Sequence, residues 1–360
     1  MKRLLDASAL RALARGCAVL GAGGGGDPYL GLLQALQATE DYGPVPLVDL
    51  DELPDESLIM PCGGIGAPTV SIEKIENGDE GDRLREHLEM LTERHVSALM
   101  AAEIGGANGL LPIAWAARMR LPVADADGMG RAFPEVPQVT MHLAGILPSP
   151  AVMTDERGNL VIFQTISGQW MERLERAAAV EFGGAASSTE FSMTAAQARG
   201  ATVRNSVTLA IRIGEAVRQA VDDPVDALIA AVGAFRLITG KVLDVERRTT
   251  SGFARGSVVV EGLGADAGRL VRLEVQNENL LALDRGRVLA SVPDLISVVD
   301  SETAAAIVTE RIAYGQRVTV IAFPCDPVWR TAKGLVVAGP RSFGYDFDYQ
   351  PVEELAGASA

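Results

Sequence analysis

Histidine and cysteine are scarce in this chain, with three of each in 360 residues. His87, His95 and His142 are too few for a histidine-rich zinc site. His87 and His95 fall on or beside a charged segment, where a solvated face accounts for them. His142 reads as a half-buried residue of a strand over 139–146. Cys17, Cys62 and Cys325 do not make a disulfide framework in a chain this long, so a reducing cytoplasm is the expected compartment. Basic charge is also short, since 32 Lys and Arg against 47 Asp and Glu leave a net charge of −15. No basic run exceeds Arg247-Arg248, which excludes a surface that coats phosphate backbones or anionic lipid. Long apolar runs are missing too. Asp6, Arg11 and Arg15 break the stretch that follows Lys2-Arg3 before it can form a signal-peptide core, and no window reaches the roughly 20 apolar residues of a membrane span. A soluble cytoplasmic protein is expected, with neither nucleic acid nor membrane as partner.

Glycine and apolar residues are plentiful: 38 glycines and a hydrophobic share of 48%. The second is enough for a sizeable core, and the first means that many backbone positions need positive φ or a close approach. Leu4, Leu5, Ala9, Leu10, Leu13 and Ala14 recur at helical spacing, which predicts an opening helix that ends near Gly16. Ala18-Val19-Leu20 then reads as a strand that empties into Gly21–Asp27, with a second helix from Tyr29 to Ala38. Strands are predicted at 45–50, 57–60, 96–102 and 122–126, and helices at 81–94 and 108–119. Such alternation implies a mostly parallel sheet with helices on its faces. Ligands collect at the carboxyl ends of such strands. The loops at 23–27, 63–67, 103–108 and 125–135 therefore share one predicted rim. A hairpin follows at 151–164 and a helical stretch at 169–238. From Lys241 to Val337, short β-branched runs separated by turn residues predict an antiparallel barrel. The domain boundary is drawn near Gly240, giving 1–240 and 241–360, with a frayed tail after Pro351.

Gly21, Gly23 and Gly26 satisfy the dinucleotide fingerprint, with Asp49 near the position of a ribose acid. Four consecutive glycines satisfy almost any glycine pattern, however, and no lysine follows to make a phosphate loop. A backbone nest for another anion or carbonyl, and plain turn geometry, stay open beside it. Glu103 to Asn108 and Asp125 to Gly128 put carboxylates directly after apolar strands. Such acids can ligate a divalent metal, act as a base, or simply cap the next helix. Cys325 lies in the rigid run Pro324-Cys325-Asp326-Pro327. It reads either as a nucleophile or soft ligand, or as a small buried hydrophobe; the adjacent Asp326 works against a thiolate.

Leu20 to Leu30, Gly66-Ala67-Pro68, Glu103 to Asn108, Asp125 to Glu135, Asn277-Glu278, Pro293 to Ile296 and Pro324 to Tyr345 together resemble the DUF917 family. That family is also called the S-methyl thiohydantoin desulfurase family, and its members are similar to proteins found with hydantoinase and oxoprolinase subunits. The resemblance covers nearly the whole chain. It implies an N-terminal three-layer α/β sandwich, a C-terminal antiparallel β-barrel, and chemistry on a five-membered thiohydantoin ring. Cys62 departs from the family at a variable position. The expected reaction is hydrolytic desulfurisation, with Cys325, Asp127 and Glu103 as candidate catalytic groups. Gly23, Gly24, Gly25, Gly26, Asp27, Asn108, Asp125 and Arg131 are the candidate substrate-binding residues, the glycine N–H groups serving a developing oxyanion. One divalent metal ion is a candidate cofactor. The expected ligand is a small heterocycle. The alternatives are an accessory subunit of a hydantoinase assembly and a nucleotide-binding enzyme.

Overall fold

The computed structural model describes residues 3–66, 70, 73–250 and 253–357. Ala67 and Pro68, the end of one glycine loop, lie outside them. The first sheet is built from β1 (Arg3–Leu5), β2 (Val45–Val48), β3 (Leu58–Gly66), β4 (Val96–Ala101), β5 (Val123–Asp127), β6 (Ala151–Thr154), β7 (Leu160–Phe163) and β8 (Ala185–Thr189), joined by the short β9 (Met193–Thr194) and β10 (Val203–Arg204). Its spatial order is β1-β2-β5-β4-β3-β8-β6-β7, with β10 on β5 and β9 on β3. β2, β5, β4 and β3 are mutually parallel, and the remaining pairings are antiparallel. The longer helices are α1 (Ala7–Leu20), α2 (Pro28–Tyr42), α3 (Glu80–Thr92), α4 (Leu111–Met119), α5 (Gly168–Glu181), α6 (Ser206–Arg218) and α7 (Pro224–Val232).

The second sheet comprises β11 (Phe235–Thr250), β12 (Phe253–Gly262), β13 (Leu270–Gln276), β14 (Glu278–Asp284), β15 (Arg287–Ser291), β16 (Leu295–Asp300) and β17 (Arg317–Phe323), all antiparallel in the order β15-β14-β13-β12-β11-β17-β16. It curls into a half-barrel, and the Asn279 amide of β14 reaches across to the Ile296 carbonyl of β16 at 3.0 Å. Ile238, Val260, Leu273 and Val320 fill its interior. Leu280 of β14 and Phe323 of β17, with Val292 and Trp329 from the segments that follow β15 and β17, belong instead to the core of the first sheet, so the two sheets are fused along one apolar seam. Among the described residues no helix is long and apolar enough to cross a membrane.

The α/β sandwich and the curled antiparallel sheet agree with expectation, but several local readings are corrected. Asp6 caps α1 through the Ala9 N–H at 2.9 Å, and the helix runs on through Gly16 to Leu20. Gly16 is a crossing point. A Cβ there would lie 1.9 Å from the Ala210 carbonyl oxygen, and one on Gly214 of α6 would lie 1.9 Å from that of Ala12. Two backbones in contact require both glycines. The Gly21–Asp27 loop therefore leaves a helix and not a strand, and the dinucleotide fingerprint loses its structural context. Asp49 caps a short turn and pairs with Arg204. β3 continues straight through the predicted glycine loop because the small residues of β8 pair with it, Gly63 opposite Ser188 and Gly66 opposite Ala185. That pairing also interrupts the stretch read as helical from 169. The predicted strand over 139–146 is a helical turn at Thr140–Leu143. The tail is pinned, since Val352 is buried and its N–H donates to Asp294 at 2.9 Å.

Candidate active site

The ends of β3 and β4, the Gly25–Asp27 stretch and the turn between β13 and β14 enclose a cavity of about 470 Å³. That volume suits a small heterocycle with a modest substituent. Two buried carboxyl groups enter it from different sheets. Glu103 follows β4, and its carboxylate accepts from the Asn108 amide and from the Phe133 N–H at 3.2 Å. Asn108 is fixed in turn, its carbonyl oxygen accepting the Gly64 N–H at 3.0 Å. Burial pushes the Glu103 carboxyl up to about 8, against the pull of the Asn108 and Phe133 donors. Glu278 opens β14 after Asn277, which turns the chain at a φ of 57°. Burial, and then the charge of Glu103, hold its carboxyl well above the usual range, while Arg131 opposes them. Glu278 Oε2 has no hydrogen-bond partner among the described residues. An ionised Glu103 strengthens the hold of Glu278 on its proton, an arrangement that suits one base and one acid in the same cavity.

The remaining predicted residues separate into those at the cavity and those behind it. Gly25, Gly26, Asp27, Glu103 and Asn108 line it. The Ala107 N–H donates to the Gly25 carbonyl at 2.8 Å, which stitches the glycine loop to the loop after β4. Asp27 caps α2 through the Tyr29 N–H and pairs with Arg311 at 2.6 Å. Gly23 and Gly24 lie at the seam with the second sheet. The Gly23 carbonyl accepts from Thr309, and a Cβ on Gly24 would come within 2.0 Å of Glu278 Oε1.

Asp127, Asp125, Arg131 and Cys325 are not part of the cavity wall. Asp127 is fully buried, and one of its oxygens accepts the N–H groups of Ile104, Met129 and Gly130 at 2.8–2.9 Å. It anchors the loop that carries Glu103. Asp125 holds the start of α6 through Thr208. Arg131, also fully buried, donates to the carbonyls of Ala132, Pro293 and Asp294 and lies 4.3 Å over the Phe133 ring, clasping the two sheets together. Cys325 is buried in the shared core with its N–H on Asp294 at 3.0 Å; burial and the Asp294 charge push its thiol far up, away from a thiolate. The segment after it reaches the loop that follows β5, where Trp329 donates to the Met129 carbonyl at 2.7 Å.

Among the cavity acids that carried no role in the sequence reading are Glu278, Glu190 and Glu76. Burial and the neighbouring Glu80 push Glu76 up to about 7, and the Ser187 hydroxyl donates to it at 2.8 Å. The cavity's cations are engaged already, Lys74 with Glu156, Arg311 with Asp27 and Arg176 with Glu172. The wall is therefore acidic overall. Among the described residues no three His, Cys, Asp or Glu side chains group as a metal-holding set.

Family profiles match the chain almost end to end, the S-Me-THD-like N-terminal domain over residues 8–165 and the S-Me-THD-like C-terminal domain over residues 166–352. No curated protein matches it. The crystal structure of a protein from Chromobacterium violaceum is similar, with a TM-score of 0.82 and 24% identity over 97% of this chain and 100% of that one. At that identity the likeness concerns the fold.

Proposed function

The chain belongs to the S-Me-THD-like family, and from that premise we propose that it hydrolyses the exocyclic carbon–sulfur bond of a thiohydantoin or its S-methyl derivative to give the hydantoin. The observation that carries this reading is the facing pair Glu103 and Glu278, one acid from each sheet, both raised and both in the same cavity. Water is the nucleophile. Ionised Glu103, oriented by Asn108, takes a proton from the water as its oxygen bonds to the sulfur-bearing ring carbon. In an S-methyl substrate the carbon–nitrogen double bond opens toward nitrogen, which takes a proton from Glu278. The Gly25 and Gly26 stretch supplies backbone dipoles where negative charge develops. Cys325 has no part in this scheme, since its thiol is buried and protonated outside the cavity.

The test is direct. Purified protein is incubated with thiohydantoins and S-methyl thiohydantoins bearing neutral, cationic and anionic ring substituents, with sulfide, methanethiol and hydantoin measured. Release by wild type, with a loss of about 100-fold or more in Glu103→Gln, is expected for a general base. If wild type releases no sulfur from any of them, the reading fails.

A further inference from the structure

A second carboxyl pair lies at the same cavity, with Glu190 in its wall and Glu175 behind it. Glu175 of α5 has no exposed surface, and neither of its oxygens has a hydrogen-bond partner among the described residues. Glu190, one residue past β8, lines the cavity with an unpartnered buried Oε1. The two carboxyl groups meet each other. Opposed carboxylates offer acceptors only, so their contact becomes a hydrogen bond when one of them carries a proton. Around them, Arg176 of α5 pairs with Glu172 and its charge also favours ionised Glu175, the charge of Glu172 opposes ionisation of both, Cys62 of β3 is a buried thiol, and Ser188 of β8 bonds to Glu190. Burial, and then the charge of Glu190, hold the Glu175 carboxyl well above its ordinary range, and burial raises Glu190 as well.

We propose that Glu175 and Glu190 hold one proton between them and that Glu190 delivers it to the departing sulfur. This rests on the desulfurisation reading and completes it. Water addition leaves Glu278 ionised and Glu103 holding the water proton on the face where water entered, so protonating a thiolate as basic as methanethiolate, which departs from the other face, falls to a further acid. In the second half of the reaction the carbon–sulfur bond breaks with its electron pair moving to sulfur. Sulfur takes the proton of Glu190 and leaves as the thiol. The hydroxyl of the tetrahedral intermediate gives its proton to Glu278, left ionised by the first half, as the carbonyl forms. Of the two protons of the water consumed, one ends on ring nitrogen and one on sulfur. After release Glu103 gives its proton up to solvent and the carboxyl pair regains one, which closes the cycle. Glu190 is the catalytic residue, and Glu175 is a positioning residue that holds the proton.

The experiment varies the leaving group. S-methyl and S-(4-nitrophenyl) thiohydantoins are compared in wild type, Glu190→Gln and Glu175→Gln, with thermal melting as the check on folding. An arylthiolate leaves without protonation, so the expected loss is about 100-fold on the S-methyl substrate and less than about tenfold on the S-aryl one. The glutamine of Glu175→Gln still donates a hydrogen bond to Glu190, and that variant is expected to fold and to show the same leaving-group dependence. Equal losses on both substrates, in variants that melt like wild type, overturn the proton-donor role and leave desulfurisation standing. A wild type inert on both substrates overturns the desulfurisation reading itself.

Discussion

Replacing Glu103 with glutamine is expected to make the protein more stable in alkali, even as it removes the proposed base. The folded chain holds the Glu103 proton up to about pH 8, whereas the unfolded chain releases it near 4.5. Between those values the folded state binds the extra proton, so stability falls as pH rises. Each pH unit is worth about 1.4 kcal/mol. From pH 5.5 to pH 8 wild type thus loses about 3 kcal/mol through this one group, and Glu103→Gln loses none of it. At pH 5.5 the variant sacrifices one acceptor, because an amide cannot accept from both Asn108 and Phe133. That costs about 1 kcal/mol. The stability difference, variant minus wild type, should therefore climb from slightly negative to about 2 kcal/mol as pH rises to 8. For a chain of this length that is roughly 3 °C in melting temperature. Urea unfolding of both proteins at half-unit pH steps measures it. A difference that stays flat from pH 5.5 to pH 8 would mean that Glu103 ionises normally, and the base assignment would go with it.

Three further outcomes follow from the same geometry. The kcat/KM of desulfurisation should rise with pH through about 8 as Glu103 ionises and decline where Glu278 loses its proton; a profile flat between pH 6 and 9 contradicts the pair. Gly24→Ala would drive a methyl group into the Glu278 carboxyl, whose flexible end yields more easily than backbone, so activity should fall at least about tenfold with a smaller effect on melting; normal turnover would show that Glu278 is dispensable. Cys325→Ala should keep activity within about threefold and cost roughly 1 kcal/mol of stability as a small buried cavity, which melting and thiol release on one preparation can check.

The parallel strands were legible because each is a short apolar run bounded by turn residues, and β2, β4 and β5 stand within a residue or two of where periodicity puts them. Gly16 misled because a glycine that ends a helix and one that lets two helices touch look alike until the partner helix, 194 residues away at Ala210, is in place. The continuation of β3 was hidden for a similar reason, since Gly63, Gly64 and Gly66 form a strand only through pairing with β8. At the site, Glu103 and Asn108 followed from acids and amides at strand ends. Asp125 and Asp127 carry the same local signal, yet they were spent on α6 and on the Ile104 to Gly130 backbone. Glu278 and Glu190 gave no local signal of a role, for their weakened acidity comes from burial that neither neighbouring sequence specifies.

That distribution of the site bears on how the chain unfolds. The two family profiles meet at residue 165/166, between β7 and α5, so β8 belongs to the C-terminal profile yet completes the first sheet beside β3. Glu190 and Glu278 come from the C-terminal profile, and Glu103 from the N-terminal one. A cut near Gly240 separates the architectures more cleanly, but it still strips Leu280, Val292, Phe323 and Trp329 from a core shared with the first domain and leaves buried Arg131 without its Pro293 and Asp294 carbonyl partners. Exposing those four side chains costs about 1.5–3 kcal/mol each. Unpairing a buried guanidinium adds several more. We therefore expect one cooperative unfolding transition for the whole chain and no stable fragment from limited proteolysis near 235–240. Two resolved calorimetric transitions, or a folded 1–240 fragment, would show that the seam is weaker than its burial implies and that the two carboxyl walls of the cavity can part.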